Sequence, residues 1–119
     1  MDTRSLGRFG EERALRFLRR RGYRPVARNF RCRQGEIDLI VRKRDVLVFV
    51  EVKLRRDDRF AEAREFVTPA KQRRIIETAG LFLAQYGEDV QPRFDVIEIY
   101  APEGERGPIR IEHIENAFM

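Results

Sequence analysis

The stretch GEIDLIVRKRDVLVFVEVK, residues 35–53, constrains this chain more than any other. Two apolar runs flank Arg44 and Asp45, and Asp45 suits a tight turn, so the segment reads as a hairpin of strands over Glu36–Lys43 and Val46–Leu54. Folding about that turn sets Asp38 opposite Glu51 and Glu36 opposite Lys53. Side chains alternate along a strand, so all four share one face. The other face collects Ile37, Leu39 and Val41 against Val48, Val50 and Val52, which is pure core. On the charged face Ile40 meets Phe49 and Arg42 meets Leu47, so the polar groups gather at one end of an otherwise buried hairpin. A slip of one residue would bury the charges and expose the apolar set. The register is therefore strongly specified.

Two carboxylates directly opposite one another repel, and partial desolvation makes the repulsion serious. A divalent cation with oxygen ligands from Asp38 and Glu51 would offset it, as magnesium or manganese requires. Lys53 bridging Glu36 and its neighbours in a structural ion cluster is a second answer, and a carboxyl that keeps its proton is a third. Three acids facing one lysine, in strongly apolar flanking sequence, tilt the balance toward the metal.

Around the hairpin the chain reads as α-β-β-β-α-β-β, an α/β domain over residues 1–119 with a central mixed sheet flanked by helices. A first helix spans residues 5–21, with Ala14, Leu15, Phe17 and Leu18 at helical spacing and Gly22 closing it. Tyr23–Arg31 is a first strand. Residues 55–67 are polar and charged and read as a mobile loop. Thr68 and Pro69 have the chemistry of N-cap and first helical residue for a second helix to Tyr86, ended by Gly87. Phe94–Tyr100 and Ile109–His113 supply the last strands.

In the first helix Glu12 precedes Arg16 and Arg19 on a solvated, ion-paired face. Glu11 instead shares the stripe of Ala14, Leu15 and Leu18, and a carboxylate at the edge of a core-facing stripe needs a partner. The charged end of the hairpin is a candidate. Gln72 shares a face with Ile75, Ile76 and Ala79 in the second helix, so it too points toward the sheet. Incomplete burial at a helix start would also account for either residue, but both pointing toward one site is the more economical reading.

The chain carries a net charge of +5, unevenly placed. Residues 1–35 hold eleven arginines against Asp2, Glu11 and Glu12, a local excess of +8. Arginine suits phosphate because its planar fork donates two parallel hydrogen bonds. A genome favouring arginine codons, or a heat-tolerant surface, produces the same composition. Cys32 is the single cysteine and His113 the single histidine, which excludes a disulfide framework, a multi-cysteine zinc site and Ser-His or Cys-His catalysis. No phosphate-cradling glycine loop with its Lys-Ser pair is present. With no long apolar run and no leader-like start, a soluble cytoplasmic protein is expected.

The string GEIDLI followed by FVEVK resembles the PD-(D/E)XK nuclease superfamily, and within it the YraN family, which is similar to archaeal Holliday-junction resolvases. The likeness extends to Glu11 and Ala14, Asn29, Lys71-Gln72, Arg93-Phe94-Asp95 and Asn116-Ala117-Phe118. It implies a restriction-endonuclease-like fold and metal-dependent DNA phosphodiester hydrolysis with Mg2+ or Mn2+. Asp38, Glu51 and the Val52 carbonyl match metal ligands, and Lys53 matches the motif lysine that orients water and stabilises developing charge. Glu11 matches a helix-one glutamate near the metal, Glu36 is an additional acid of this family, and Gln72 assists. Ile37 stands where the superfamily's name has proline. DNA, structured or branched and read without sequence preference, is the implied partner, with no membrane partner and with a homodimer compatible. Arg16, Arg19, Arg20, Arg55, Arg56 and Arg59 are candidates to hold its backbone. The rival reading is a nucleic-acid-binding module that keeps the fold but turns over little.

Overall fold

The computed structural model describes residues 3–55 and 67–119. The elements run α1 (Thr3–Arg20), β1 (Arg24–Cys32), β2 (Gly35–Lys43), β3 (Val46–Arg55), α2 (Pro69–Tyr86), β4 (Gln91–Tyr100) and β5 (Arg110–Ile114). Most of the loop expected over residues 55–67, including Arg56 and Arg59, lies outside the described residues. Of its two ends, Arg55 closes β3 and Val67 is buried in the core.

Both helices end where local chemistry dictates. Gly22 adopts φ 94°, and the N–H groups of Gly22 and Tyr23 donate to the carbonyls of Arg19 and Leu18, the Schellman arrangement. Arg19 and Arg20 occupy the last turn of α1, where the helix dipole favours positive charge. Thr68 caps α2 by accepting from the Lys71 N–H at 3.1 Å, Pro69 follows, and Gly87 closes the helix at φ 76°.

The sheet has the order β1-β2-β3-β4-β5 and is mixed: β3 and β4 are parallel, every other pair antiparallel. Joining parallel strands requires a crossover, and α2 lies in it. The two helices cover opposite faces. Ala14, Leu15 and Leu18 of α1 pack on Leu39, Val41, Val48, Val50, Ile97 and Ile99. Ile75 and Ala79 of α2 pack on Ile40, Leu47, Phe49, Phe94 and Val96. The C-terminal tail docks on this second face, with Phe118 stacked on Phe94 and the Ala117 N–H donating to the Phe94 carbonyl. This α/β arrangement is compatible with the restriction-endonuclease-like fold. No helix among the described residues is long and apolar enough to cross a membrane.

The hairpin keeps its register from Lys43↔Val46 to Leu39↔Val50 and then departs from strict pairing. Asp38 and Glu51 are not laddered, nor are Glu36 and Lys53. Beyond Leu39, β2 follows β1 down to Cys32↔Gly35, whereas β3 follows β4 up to Arg55↔Tyr100. The two strands part like a fork. Alternation also breaks here: Ile37 joins Ile40 in the α2-side core instead of Leu39 and Val41. Across from Asp38, between Arg28↔Leu39 and Phe30↔Ile37, Asn29 takes a left-handed φ of 51°. That conformation turns both strands over, which continuous alternation cannot anticipate.

The single histidine, His113, lies in β5. Its Nε2 lies 2.7 Å from Asp95 Oδ2, and both side chains are buried. Arg93 grips the same carboxylate through Nε and Nη2 at 2.9 and 2.8 Å, and the Asn116 N–H donates to it at 3.0 Å. Arg93 also donates to the Tyr23 hydroxyl at 2.6 Å, which ties β4 to the end of α1. Burial alone would raise the Asp95 carboxyl, but the bonds from His113, Arg93 and Asn116 outweigh it and hold it below its ordinary 3.8. Asp95→Asn should cost about 3 kcal/mol at pH 7, read as a lower urea midpoint, because it strands partly buried cations. A carboxyl with a depressed folded pKa stabilises above its unfolded value and loses that contribution as pH falls through the folded one. The gap between wild type and Asp95→Asn should therefore narrow below about pH 4.

Candidate active site

The fork opens a groove of about 230 Å³ lined by Gly35, Glu36, Asp38, Glu51, Lys71, Arg74 and Ile75. Asp38 spans its apex: Oδ2 accepts the Val52 N–H at 2.8 Å, replacing the ladder that β2 no longer supplies. Glu51 is buried, 8% exposed, and sits between two lysines. Lys71 Nζ donates to Glu51 Oε1 at 2.6 Å and Lys53 Nζ stands 3.6 Å from the same oxygen. Both lysines gather on Glu51, and the hydrogen bonds described for Asp38 reach only a backbone N–H.

The electrostatics follow from that imbalance. Burial, then the charge of Glu51, pushes the Asp38 carboxyl up to about 7; the Val52 N–H opposes the rise and Glu11 and Glu36 add to it. Burial and the adjacent Lys71 lower Lys53. Burial would lower Lys71 too, but its hydrogen bond and charge pairing with Glu51 prevail and raise it.

Glu11 occupies the neighbouring groove, of about 530 Å³, with Gly7, Arg8, Asn29, Arg31 and Glu36. Burial raises its carboxyl, partly offset by a hydrogen bond with Asn29. The partner its stripe position demanded is thus the left-handed asparagine of β1. Glu36 borders both grooves and pairs with Arg31 at 3.3 Å, not with Lys53. Gln72 Nε2 donates to the Val67 carbonyl at 2.8 Å, fixing the approach to α2. Arg55 is bound to the buried Glu98 at 2.5 Å. Arg16, Arg19 and Arg20 are exposed, and Arg19 lies about 12 Å along the α1 axis from Glu11.

The residue that sequence reasoning missed is Lys71. Its signal was available: it precedes Ile75 and Thr78 by four and seven residues, on the buried stripe of α2. A lysine there needs an anion, and Glu51 is that anion.

Among the described residues no three His, Cys, Asp or Glu side chains converge as a ready metal cage. Magnesium commonly takes only one or two carboxylates and completes its shell with water. Asp38 and Glu51 supply carboxylate oxygens to one groove and fit such an ion, and Asp38 is held to the backbone of Val52. The mutual repulsion carried by Asp38 is what a cation there would relieve.

The model of the family described as "Uncharacterised protein family UPF0102" matches residues 10–99. The chain belongs to this family. A UPF0102 protein of Symbiobacterium thermophilum is 50% identical over 98% of both chains. One of Caldicellulosiruptor saccharolyticus is 41% identical over 99% of this chain and all of its own length. One of Pelobacter propionicus is 48% identical, covering 98% of this chain and 84% of the relative. The UPF0102 match spans the fork, both lysines and the Asp95 cluster apart from His113 and Asn116.

A carboxyl whose folded pKa is raised favours folding below its unfolded value, and that advantage is lost as pH rises through the folded one. In EDTA, Asp38→Asn should therefore melt higher than wild type at pH 8. The gap should open from about pH 4 and level off above about pH 7, as followed by circular dichroism.

Proposed function

We propose that this UPF0102 protein is a metal-dependent nuclease that hydrolyses DNA phosphodiester bonds, with branched or structured DNA as its substrate. The observation that carries the reading is one groove at the fork of the sheet lined by Asp38, Glu51 and Lys71, with Lys53 beside Glu51. Two acids and two ammonium groups serve phosphodiester hydrolysis, which needs a bound cation, an oriented water and compensation of charge on the phosphorane. Asp38, Glu51 and the Val52 carbonyl would hold magnesium or manganese. When bound, the ion lowers the pKa of water and neutralises phosphate charge.

The protein's own groups do the rest. Lys53, beside Glu51, orients the attacking water and meets charge developing on the phosphate oxygens. Glu11, across Glu36 from that groove and hydrogen-bonded to Asn29, would hold a water near the ion. The exposed Arg8, Arg31 and Arg74 border the two grooves and grip the backbone close to the chemistry, with Arg16, Arg19 and Arg20 extending the track along α1. Phosphate contacts of this kind give salt-sensitive, sequence-tolerant binding.

Cleavage of linear, nicked, flap and four-way DNA with manganese, magnesium or EDTA tests the reading. Activity should require the ion. Asp38→Asn should abolish it with the fold intact, Lys53→Ala should lower kcat roughly 10²–10³-fold, and Glu11→Gln should reduce it. The exposed Glu12→Gln is the control. Equal cleavage by wild type and Asp38→Asn would reject the site and put the binding-module reading first. Replacing Arg8, Arg31 and Arg74 together by glutamine should weaken DNA binding more than replacing Arg16, Arg19 and Arg20. The reverse order in a titration at fixed salt would move the interface to the far end of α1.

A further inference from the structure

The short Lys71–Glu51 contact has a consequence beyond holding α2 to β3. Glu51 is one of the two carboxylates that would hold an ion, yet one of its oxygens is already engaged by an ammonium group at 2.6 Å. A second ammonium, Lys53, stands 3.6 Å from that same oxygen. The two lysines differ in anchorage. Lys53 lies within β3, paired along β4, whereas Lys71 reaches in from the first turn of α2 on a flexible arm that is 36% exposed. Arg74, one turn further on, borders the same groove and is exposed. A side chain so placed can swing toward solvent without disturbing the sheet.

We propose that Lys71 is an exchangeable cation: it neutralises Glu51 while no divalent ion is bound, releases it when one arrives, and then turns outward beside Arg74 to hold the substrate phosphate. The inference rests on the proposed metal-dependent reading of the groove and assigns Lys71 a positioning role within it. Exchange keeps the groove close to electroneutral in both states, which a buried Glu51 beside a half-buried Asp38 requires. It also couples phosphate engagement to ion occupancy, because Lys71 is free for phosphate only after Glu51 has found another partner.

The sign of one measurement separates this role from a structural one. If Lys71 merely orients Glu51 for the ion, its removal weakens ion binding; if Lys71 competes with the ion, its removal strengthens it. Calorimetric titration with Mn2+, without DNA, should give a dissociation constant at least fivefold lower for Lys71→Met than for wild type. Lys71→Gln, whose amide keeps a hydrogen bond to Glu51 without the charge, should shift the same way and serves if the methionine variant folds poorly. With Ca2+ in place of Mn2+, Lys71→Met should bind duplex DNA at least fivefold more weakly than wild type, and the deficit should be smaller in EDTA. Unchanged or weaker Mn2+ binding by both variants would overturn the exchange. Asp38→Asn distinguishes the two levels of failure. Wild type that binds Mn2+ no better than Asp38→Asn removes the metal reading and the exchange with it, whereas Asp38-dependent binding indifferent to Lys71 removes the exchange alone.

Discussion

At the apex of the fork a single carboxylate takes the place of a strand ladder. Where β2 turns away with β1 and β3 continues along β4, the Val52 N–H would be left without its cross-strand partner, and Asp38 accepts it instead. A buried amide without an acceptor is costly, so the position is not free to be apolar. The same bond fixes the carboxylate beside Glu51, where its charge is penalised by burial and by repulsion. Strand separation, the groove and the electrostatic tension within it thus share one origin. Lys71, Lys53 and the pairing of Glu36 with Arg31 are arrangements of charge around that point.

Much of this was legible in the sequence, because the informative segments obey strict periodicities. Alternation fixed the hairpin from Leu39 to Lys43 against Val46 to Val50, and a one-residue slip would have exposed the valines. Thr68-Pro69 and Gly87 bounded α2 because capping chemistry is local. What alternation could not carry was its own interruption. Asn29 in a left-handed conformation moves Ile37 to the other face and separates Glu36 from Lys53, and asparagine tolerates that conformation without announcing it. The Asp95–His113 pair, and the choice of Glu51 as the anion for Lys71, depend on contacts between elements distant in sequence, which neither spacing nor composition encodes. The likeness to PD-(D/E)XK nucleases included Lys71 without giving it a role; Asp38 and Glu51 share one groove, with Glu11 in the neighbouring one.

Two carboxylates show how environment divides labour. Asp95 has every reason to be ionised: a bidentate arginine, a histidine and a backbone N–H converge on it, and it fastens β4, β5 and the end of α1. Asp38 has one backbone donor and three acidic neighbours, so its ionised form is held under stress. The first is a satisfied network whose role is cohesion. The second keeps unfulfilled capacity for positive charge, which is the usual mark of a functional position.

The distortion in β1 also bears on how the sheet meets other molecules. β1 is an edge strand, and an open edge invites pairing with another chain. Here the edge carries Pro25, which has no N–H to offer, a register shift between Pro25 and Ala27, and the left-handed Asn29. Exposed Arg24, Arg28 and Arg31 add mutual repulsion between like copies. At the opposite edge β5 is only five residues long and is followed by a second left-handed asparagine, Asn116. Neither border offers a straight template for a sixth strand, so the sheet resists growth into aggregates by edge-to-edge addition. The kink that turns β2 toward its charged groove thus also makes the β1 edge a poor template for another strand.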